Sequence, residues 1–201
     1  MQEQYYDQLL NIETSEVQKG FHSSFHYHRY EPTPYEALVL FFEQYSLTNK
    51  DRIIDFGCGK GRLNFFVHHF FGTRATGIEM DETFYKEALQ NRRKYWLKRR
   101  EIGDQIQFFQ CLAENYSISK EDNVFYFFNP FTVQIFMKVV RNILASYEVE
   151  PRKLDIILYY PANEYTYYLE EQTPFYLFQE VPLPRYEHNP YEKFLIYRLD
   201  C

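Results

Sequence analysis

Apolar positions along this 201-residue chain follow two rhythms that take turns. Short runs rich in β-branched and aromatic residues read as strands: Arg52–Phe56, Arg74–Glu79, Gln105–Gln110, Asn123–Phe128, Lys153–Pro161, Phe175–Val181 and Lys193–Leu199. Between them the spacing shifts to a helical period. Leu63, Phe66, Val67 and Phe70 fall on one face of a helix, as do Tyr85, Ala88, Leu89 and Trp96 of a longer one over Asp81–Arg100. Helices are also predicted over 34–45, 132–147 and 162–172. Strands alternating with helices predict an α/β fold, a mostly parallel seven-stranded sheet with helices on both faces. The last two strands, joined across Pro182, Pro184, His188, Asn189 and Pro190, read as an antiparallel hairpin with a long connection. Residues 1–31 show little periodicity and are expected to form an arm or lid ahead of a single domain over 32–201.

End signals sharpen these elements. Thr33, with Pro34 in the first turn and Glu36 three residues on, has the form of a capping box. Asp81 and Thr132 stand at the N-cap positions of their helices.

Composition narrows the class. A net charge of −6 disfavours nonspecific nucleic-acid binding. No apolar run reaches the length of a membrane span, and Met1–Asp7 lacks the charged and apolar regions of a secretory signal. Cys58, Cys111 and Cys201 are odd in number and far apart, which argues against a disulfide framework and for a reducing, cytoplasmic setting. His22, His26 and His28 have the residue type of metal ligands, but no acidic or cysteine partner stands at ligand spacing, so no metal is expected. The basic clusters Arg92-Arg93-Lys94 and Lys98-Arg99-Arg100 fit cations at a helix C-terminus. With 20 Tyr and 20 Phe, the chain has enough rings to fill a core and line a cleft.

The chemistry centres on Asp55-Phe56-Gly57-Cys58-Gly59-Lys60-Gly61-Arg62, which joins a buried strand to a helix. Glycines there let the backbone turn and approach a ligand, and a helix N-terminus with free N–H groups favours an anion. A dinucleotide fingerprint spaces its glycines G-x-G-x-x-G; here the third comes one residue early. The carboxylate of Asp55 would repel a pyrophosphate but suit a ligand bearing an amino group. Glu79, about twenty positions after Gly57 at the tip of the second strand, is placed to accept from both hydroxyls of a ribose.

This D-x-G-C-G-x-G loop followed by the strand-two acid resembles the class I, Rossmann-like S-adenosylmethionine-dependent methyltransferases, and the element order matches from about residue 30 onward. The resemblance implies S-adenosylmethionine as cofactor. Asp55, Gly57, Cys58, Gly59 and Gly61 would surround its methionine end, Glu79 its ribose, and Met80, Ala113 and Glu114 its adenine. Glu114 serves equally well as a cap for the next turn. The run Asn129-Pro130-Phe131 is similar to the Asn/Asp-Pro-Pro-Tyr/Phe motif of enzymes that methylate planar amino nitrogens, with one proline in place of two; it is equally a proline-ended strand with a packed Phe. Asn129 would meet both cofactor and acceptor. Tyr159 and Tyr160, and His26, Tyr27 and His28 of the arm, are pocket candidates. Tyr27, Tyr30, Thr33 and Tyr35 are candidates to close over the cofactor, or simply to cap and pack. The expected activity is methyl transfer to an acceptor that the sequence leaves open, a small molecule or protein before a nucleic acid. Two alternatives stand: a cofactor-binding module without transfer activity that acts through a protein partner, and a nicotinamide-dependent oxidoreductase.

Overall fold

The computed structural model describes residues 2–15, 31–100 and 103–200. Seven strands form one sheet: β1 (Arg52–Phe56), β2 (Arg74–Glu79), β3 (Ile106–Gln110), β4 (Val124–Phe127), β5 (Leu154–Tyr159), β6 (Tyr176–Pro182) and β7 (Lys193–Leu199). Their order is β3-β2-β1-β4-β5-β7-β6. The first five pair in parallel, while β7 runs antiparallel to both β5 and β6. The expected mostly parallel sheet with an antiparallel terminal pair is therefore present.

Helices α1 (Gln2–Leu10), α2 (Tyr35–Phe42), α3 (Arg62–Phe71), α4 (Glu82–Arg99), α5 (Val133–Val149) and α6 (Asn163–Gln172) cover the sheet. Strand side chains alternate between its faces. Ile53, Val124, Tyr126, Ile157 and Tyr159 pack with Leu38 and Phe41 of α2, Phe65 of α3 and Tyr95 of α4. Ile54, Phe56, Phe125, Phe127 and Ile156 pack on the opposite face with Phe136 and Val140 of α5 and Tyr165 of α6. Burial on both faces explains why β4 reads as an unbroken apolar run.

Several local expectations give way to longer-range contacts. Residues 2–10 form a helix that periodicity did not show; Leu10 and Ile12 enter the core, and Asp7 is buried. Thr33 does not cap α2, whose N-cap is Pro34, because its hydroxyl hydrogen-bonds the Tyr126 hydroxyl at 2.6 Å. The same helix ends at Phe42 rather than near Tyr45. Thr132 occupies the N-cap of α5 without a side-chain cap bond. Phe70, placed inward by its spacing, is 45% exposed. Asp81 does cap α4, accepting from the N–H groups of Thr83 and Phe84.

The order of strands reverses between β1 and β4, since the chain moves outward through β2 and β3 and then returns to β4 on the other side. In open α/β sheets ligands bind outside the carboxyl ends of strands at such a point. The glycine loop after β1 and the Asn-Pro-Phe loop after β4 both lie there.

Candidate active site

Two loops and two acids build the site. At Gly57 the backbone takes φ +80°, and a Cβ there would lie 2.6 Å from the Cβ of Pro130. Only glycine suits both demands, and its bare backbone lets the Asn-Pro-Phe loop press against the glycine loop. Gly61 has φ +84° and begins α3; a Cβ on it would strike the ring of Phe108 on β3 at 2.6 Å, so this glycine serves packing of the helix on the sheet.

The loop's own amides are largely spent. Gly57 and Cys58 donate to the Ile78 carbonyl (2.9 and 3.1 Å), Gly61 to the Cys58 carbonyl (2.9 Å), and Gly59 to Oε2 of Glu79 (2.9 Å). The N–H groups of residues 57, 58, 59 and 61 are thus bonded within the fold. Cys58, expected beside the cofactor, turns its sulfur toward β2, where a Cβ on Gly77 would come within 2.5 Å of Sγ. The Cys58 thiol is pushed well up by burial and then by the charges of Asp55 and Glu79.

Both acids are buried beside this loop. Glu79 is oriented by backbone amides, Oε1 accepting from Asp81 N–H at 2.8 Å and Oε2 from Gly59. Burial raises its pKa, against the lowering effect of those amides and that of Met80. A carboxylate oxygen has more than one acceptor site, so each can still receive a ligand hydroxyl. Burial first, and then the charge of Glu79, push the Asp55 carboxyl up to about 8. With its amide nitrogen turned toward Asp55, Asn64 donates to Oδ2 at 3.2 Å and accepts from Gly77 N–H at 3.3 Å. Two buried acids flanking one loop form a site for a cationic or hydroxyl-rich ligand rather than a phosphate.

The remaining candidates distribute as follows. Met80 is half-buried beside Glu79, and Ala113 is buried in the short 3₁₀ turn (Ala113–Asn115) after β3. The β3 exit is held to the second-strand tip by Cys111 N–H on the Glu79 carbonyl (3.2 Å). Glu114 points toward α5, pairing with Lys138 at 3.5 Å while its carbonyl accepts from Asn142. Asn129 stands just past β4 with φ +41°, a conformation asparagine tolerates better than most. Phe131 is core rather than cleft: its ring meets Phe127 edge-on, and its carbonyl accepts from the Tyr165 hydroxyl. Tyr159 is likewise buried, stacked on Phe194 and tilted against Phe128. Tyr160, at the end of β5, is held at φ +51°, with its ring on Tyr191 and its hydroxyl accepting from Asn189 at 2.8 Å. A bulky residue at positive φ is a backbone outlier of the kind that gathers at functional sites. Tyr35, a candidate for closing the site, is instead fully buried and donates to Asp7. His22, His26, Tyr27, His28 and Tyr30 lie outside the described residues. Among the described residues no cluster of three or more His, Cys, Asp or Glu suits a metal, and no helix is long and apolar enough to cross a membrane.

Sequence reasoning passed over Asn64, Tyr126 and Arg62. Asn64 falls within the predicted helix pattern, and only the strand beside it gives its amide a purpose. Tyr126 reads as one more ring in an apolar strand. Arg62 looks like an ordinary surface cation, yet it is 4% exposed.

No protein-family model and no curated protein matches this sequence. Solved structures do match in fold. An RNA methyltransferase from Salinibacter ruber, in complex with S-adenosyl-L-homocysteine, superposes with a TM-score of 0.59 at 21% identity, over 84% of this chain and 92% of that one. Geranyl diphosphate C-methyltransferase from Streptomyces coelicolor A3(2), in complex with Mg2+, geranyl diphosphate and S-adenosyl-L-homocysteine, gives 0.54 at 13% identity, over 83% and 78%. The Pyrococcus abyssi tRNA (uracil-54, C5)-methyltransferase, also with S-adenosyl-L-homocysteine, gives 0.55 at 14% identity, over 82% of this chain but 38% of that one. At these identities the likeness establishes the fold, which is the class I, Rossmann-like methyltransferase fold.

Proposed function

We propose that this protein is a methyltransferase that uses S-adenosylmethionine. The observation that carries the reading is the meeting of Gly57 with Pro130, which joins a ligand loop flanked by two buried acids to a loop that presents Asn129. A nicotinamide dinucleotide fits less well, because Asp55 and Glu79 oppose a pyrophosphate and the amides of 57, 58, 59 and 61 are already bonded.

The residues fit the cofactor by charge and by hydrogen-bonding type. Asp55 would take the ammonium of the methionine end, directly or through water, and Glu79 the ribose hydroxyls. Met80 and Ala113 would flank the adenine. Bound there, S-adenosylmethionine supplies a methyl group on a sulfonium, an already activated donor. The protein's own task is then to align the acceptor and exclude water. Asn129 offers a side-chain carbonyl and a neighbouring backbone carbonyl to an N–H acceptor, so the loop suits a nitrogen nucleophile. Tyr160, fixed by Asn189 and Tyr191, would form the far wall. The negative balance of the chain favours a small molecule or a protein as acceptor over a nucleic acid.

Calorimetric titration of the purified protein with S-adenosylmethionine and, separately, NAD tests the cofactor. Micromolar binding of the former that weakens at least tenfold in Glu79→Ala is expected; binding of NAD alone would overturn the reading. For the acceptor loop, Asn129→Ala should abolish transfer while leaving cofactor affinity within a few fold. Equal loss of both would remove Asn129 from its assigned role.

A further inference from the structure

Arg62 follows the glycine loop directly, and the methyl-transfer reading gives it nothing to do. It is nonetheless buried, and its guanidinium is engaged along every edge. Nε donates to Thr14 Oγ1 at 2.8 Å, Nη2 to Ser15 Oγ at 3.2 Å and Nη1 to the Thr33 carbonyl at 3.1 Å. Nη1 also forms an ion pair with Glu3, and the whole group lies over the ring of Tyr35, 4.4 Å from its centroid. Planar donors that point three ways are what this arrangement uses, and a lysine cannot supply them.

The partners themselves are locked together by Asp7 of α1. Its carboxylate accepts from the N–H and hydroxyl of Thr14 (2.8 and 2.7 Å), the N–H and hydroxyl of Ser15 (3.1 and 2.9 Å), and the Tyr35 hydroxyl (2.7 Å). Burial alone would raise Asp7, but these donors outweigh it and hold the carboxyl below its ordinary value, so it is ionised. A second tie runs through α4. Asn91 exchanges hydrogen bonds with Glu13, accepting at 2.9 Å and donating at 3.2 Å, and donates to the Lys60 carbonyl at 3.1 Å. Lys60 is itself fastened to α4 by Glu87 at 2.9 Å. Glycine-loop residues 60 and 62 are therefore each attached to the stretch 13–15, and Arg62 also holds residue 33. In sequence these anchor points stand on either side of residues 16–30.

We propose that Arg62 is a positioning residue that makes the N-terminal helix α1 part of the cofactor site, by fixing the glycine loop to the two stretches of chain that bracket residues 16–30. The inference rests on the S-adenosylmethionine reading above. It carries a reciprocal consequence: whatever factor docking of α1 adds to ligand affinity, the ligand must return to the docking of α1.

The test combines calorimetry with hydrogen exchange on the full chain, using S-adenosylhomocysteine as the probe. In the unaltered protein the probe should slow exchange of α1 amides as well as those of the glycine loop. In Arg62→Gln its affinity should fall at least tenfold, and protection should persist in the loop but vanish from α1. Arg62→Lys should recover little of the loss. Should Arg62→Gln fail to fold, Glu3→Gln, which removes one partly exposed partner, should weaken binding two- to threefold with a matching loss of α1 protection. Binding to the unaltered protein with no change in α1 exchange, affinity within twofold in a folded Arg62→Gln, or, where that variant does not fold, unchanged affinity and α1 protection in Glu3→Gln, would overturn the inference alone. No binding of the probe to the unaltered protein would overturn the cofactor reading and this inference with it.

Discussion

Two aspartates on one face of the same sheet lead opposite lives. Asp155, in the first half of β5, is fully buried, and its charge is answered on the spot. Arg198 meets it through Nε and Nη2 at 2.7 and 2.8 Å, and Tyr45 donates its hydroxyl at 2.7 Å. Asp55, near the carboxyl end of β1, is also buried, but the charge acting on it is another carboxylate. A buried charge is tolerated when paired and costly when it is not. Asp155 thus belongs to the machinery of folding. Asp55 carries a deficit that a positively charged ligand would remove.

The largest effect expected from this contrast is on the paired side. Arg198→Ala strands the Asp155 charge and should cost about 3–5 kcal/mol of stability, read from urea unfolding. S-adenosylmethionine affinity should stay within twofold; a large loss of affinity would mean that the two ends of the sheet are not independent. On the unpaired side, Asp55→Asn should weaken cofactor binding tenfold or more, about 1.4 kcal/mol or beyond. The same change should leave the ligand-free fold as stable or more so at alkaline pH. A marked loss of stability at pH 9 would erase the distinction between the two aspartates.

The pH dependence follows from the same carboxyl. Its folded value of about 8 lies above the ordinary aspartate value near 3.9, so the folded chain holds a proton that the unfolded chain releases. The stability linked to that proton is complete below about pH 4 and is lost as pH rises through about 8. The melting temperature of the ligand-free protein should therefore decline between pH 6 and pH 9, and Asp55→Asn should flatten the decline. Binding of an ammonium-bearing ligand below pH 8 should release a proton, which titrations in buffers of different ionisation enthalpy would detect. The smallest effect concerns Tyr160. Relief of its positive φ in Tyr160→Asn should offset the lost ring stack, leaving stability within about 1 kcal/mol, while transfer activity falls and cofactor affinity holds. Stability measurements beside a transfer assay would show whether the strain and the activity share one residue.

What the chain disclosed before folding was mostly local. Ile53-Ile54 ahead of closely spaced glycines marks a strand, a turn and a helix within about ten residues, and Glu79 needs only a strand's end to be placed. The sheet and its terminal pair followed from such signals. What escaped depends on partners distant in sequence. Thr33 has every mark of a helix cap, yet its hydroxyl prefers Tyr126, 93 positions away. Helix α1 has no apolar stripe to announce it, because its hold on the domain runs through Asp7 and Glu3 as well as through Leu10. That the Cys58 sulfur faces Gly77 likewise depends on the pairing of β1 with β2, two segments separated in the chain by a helix.

The contact of Gly57 with Pro130 has a consequence for how such a site diversifies. On the methyl-transfer reading, the gap between donor and acceptor would be set like a gauge block, by one carbon of Pro130 resting where a side chain on residue 57 would otherwise be. Because the contact of the two loops involves neither Tyr160 nor the connection through Asn189 and Tyr191, the proposed far wall could then be rebuilt for a new acceptor without changing the reach of the methyl group. A side chain at position 57 would do the reverse, pushing the Asn-Pro-Phe loop away from the glycine loop while every recognition residue kept its identity.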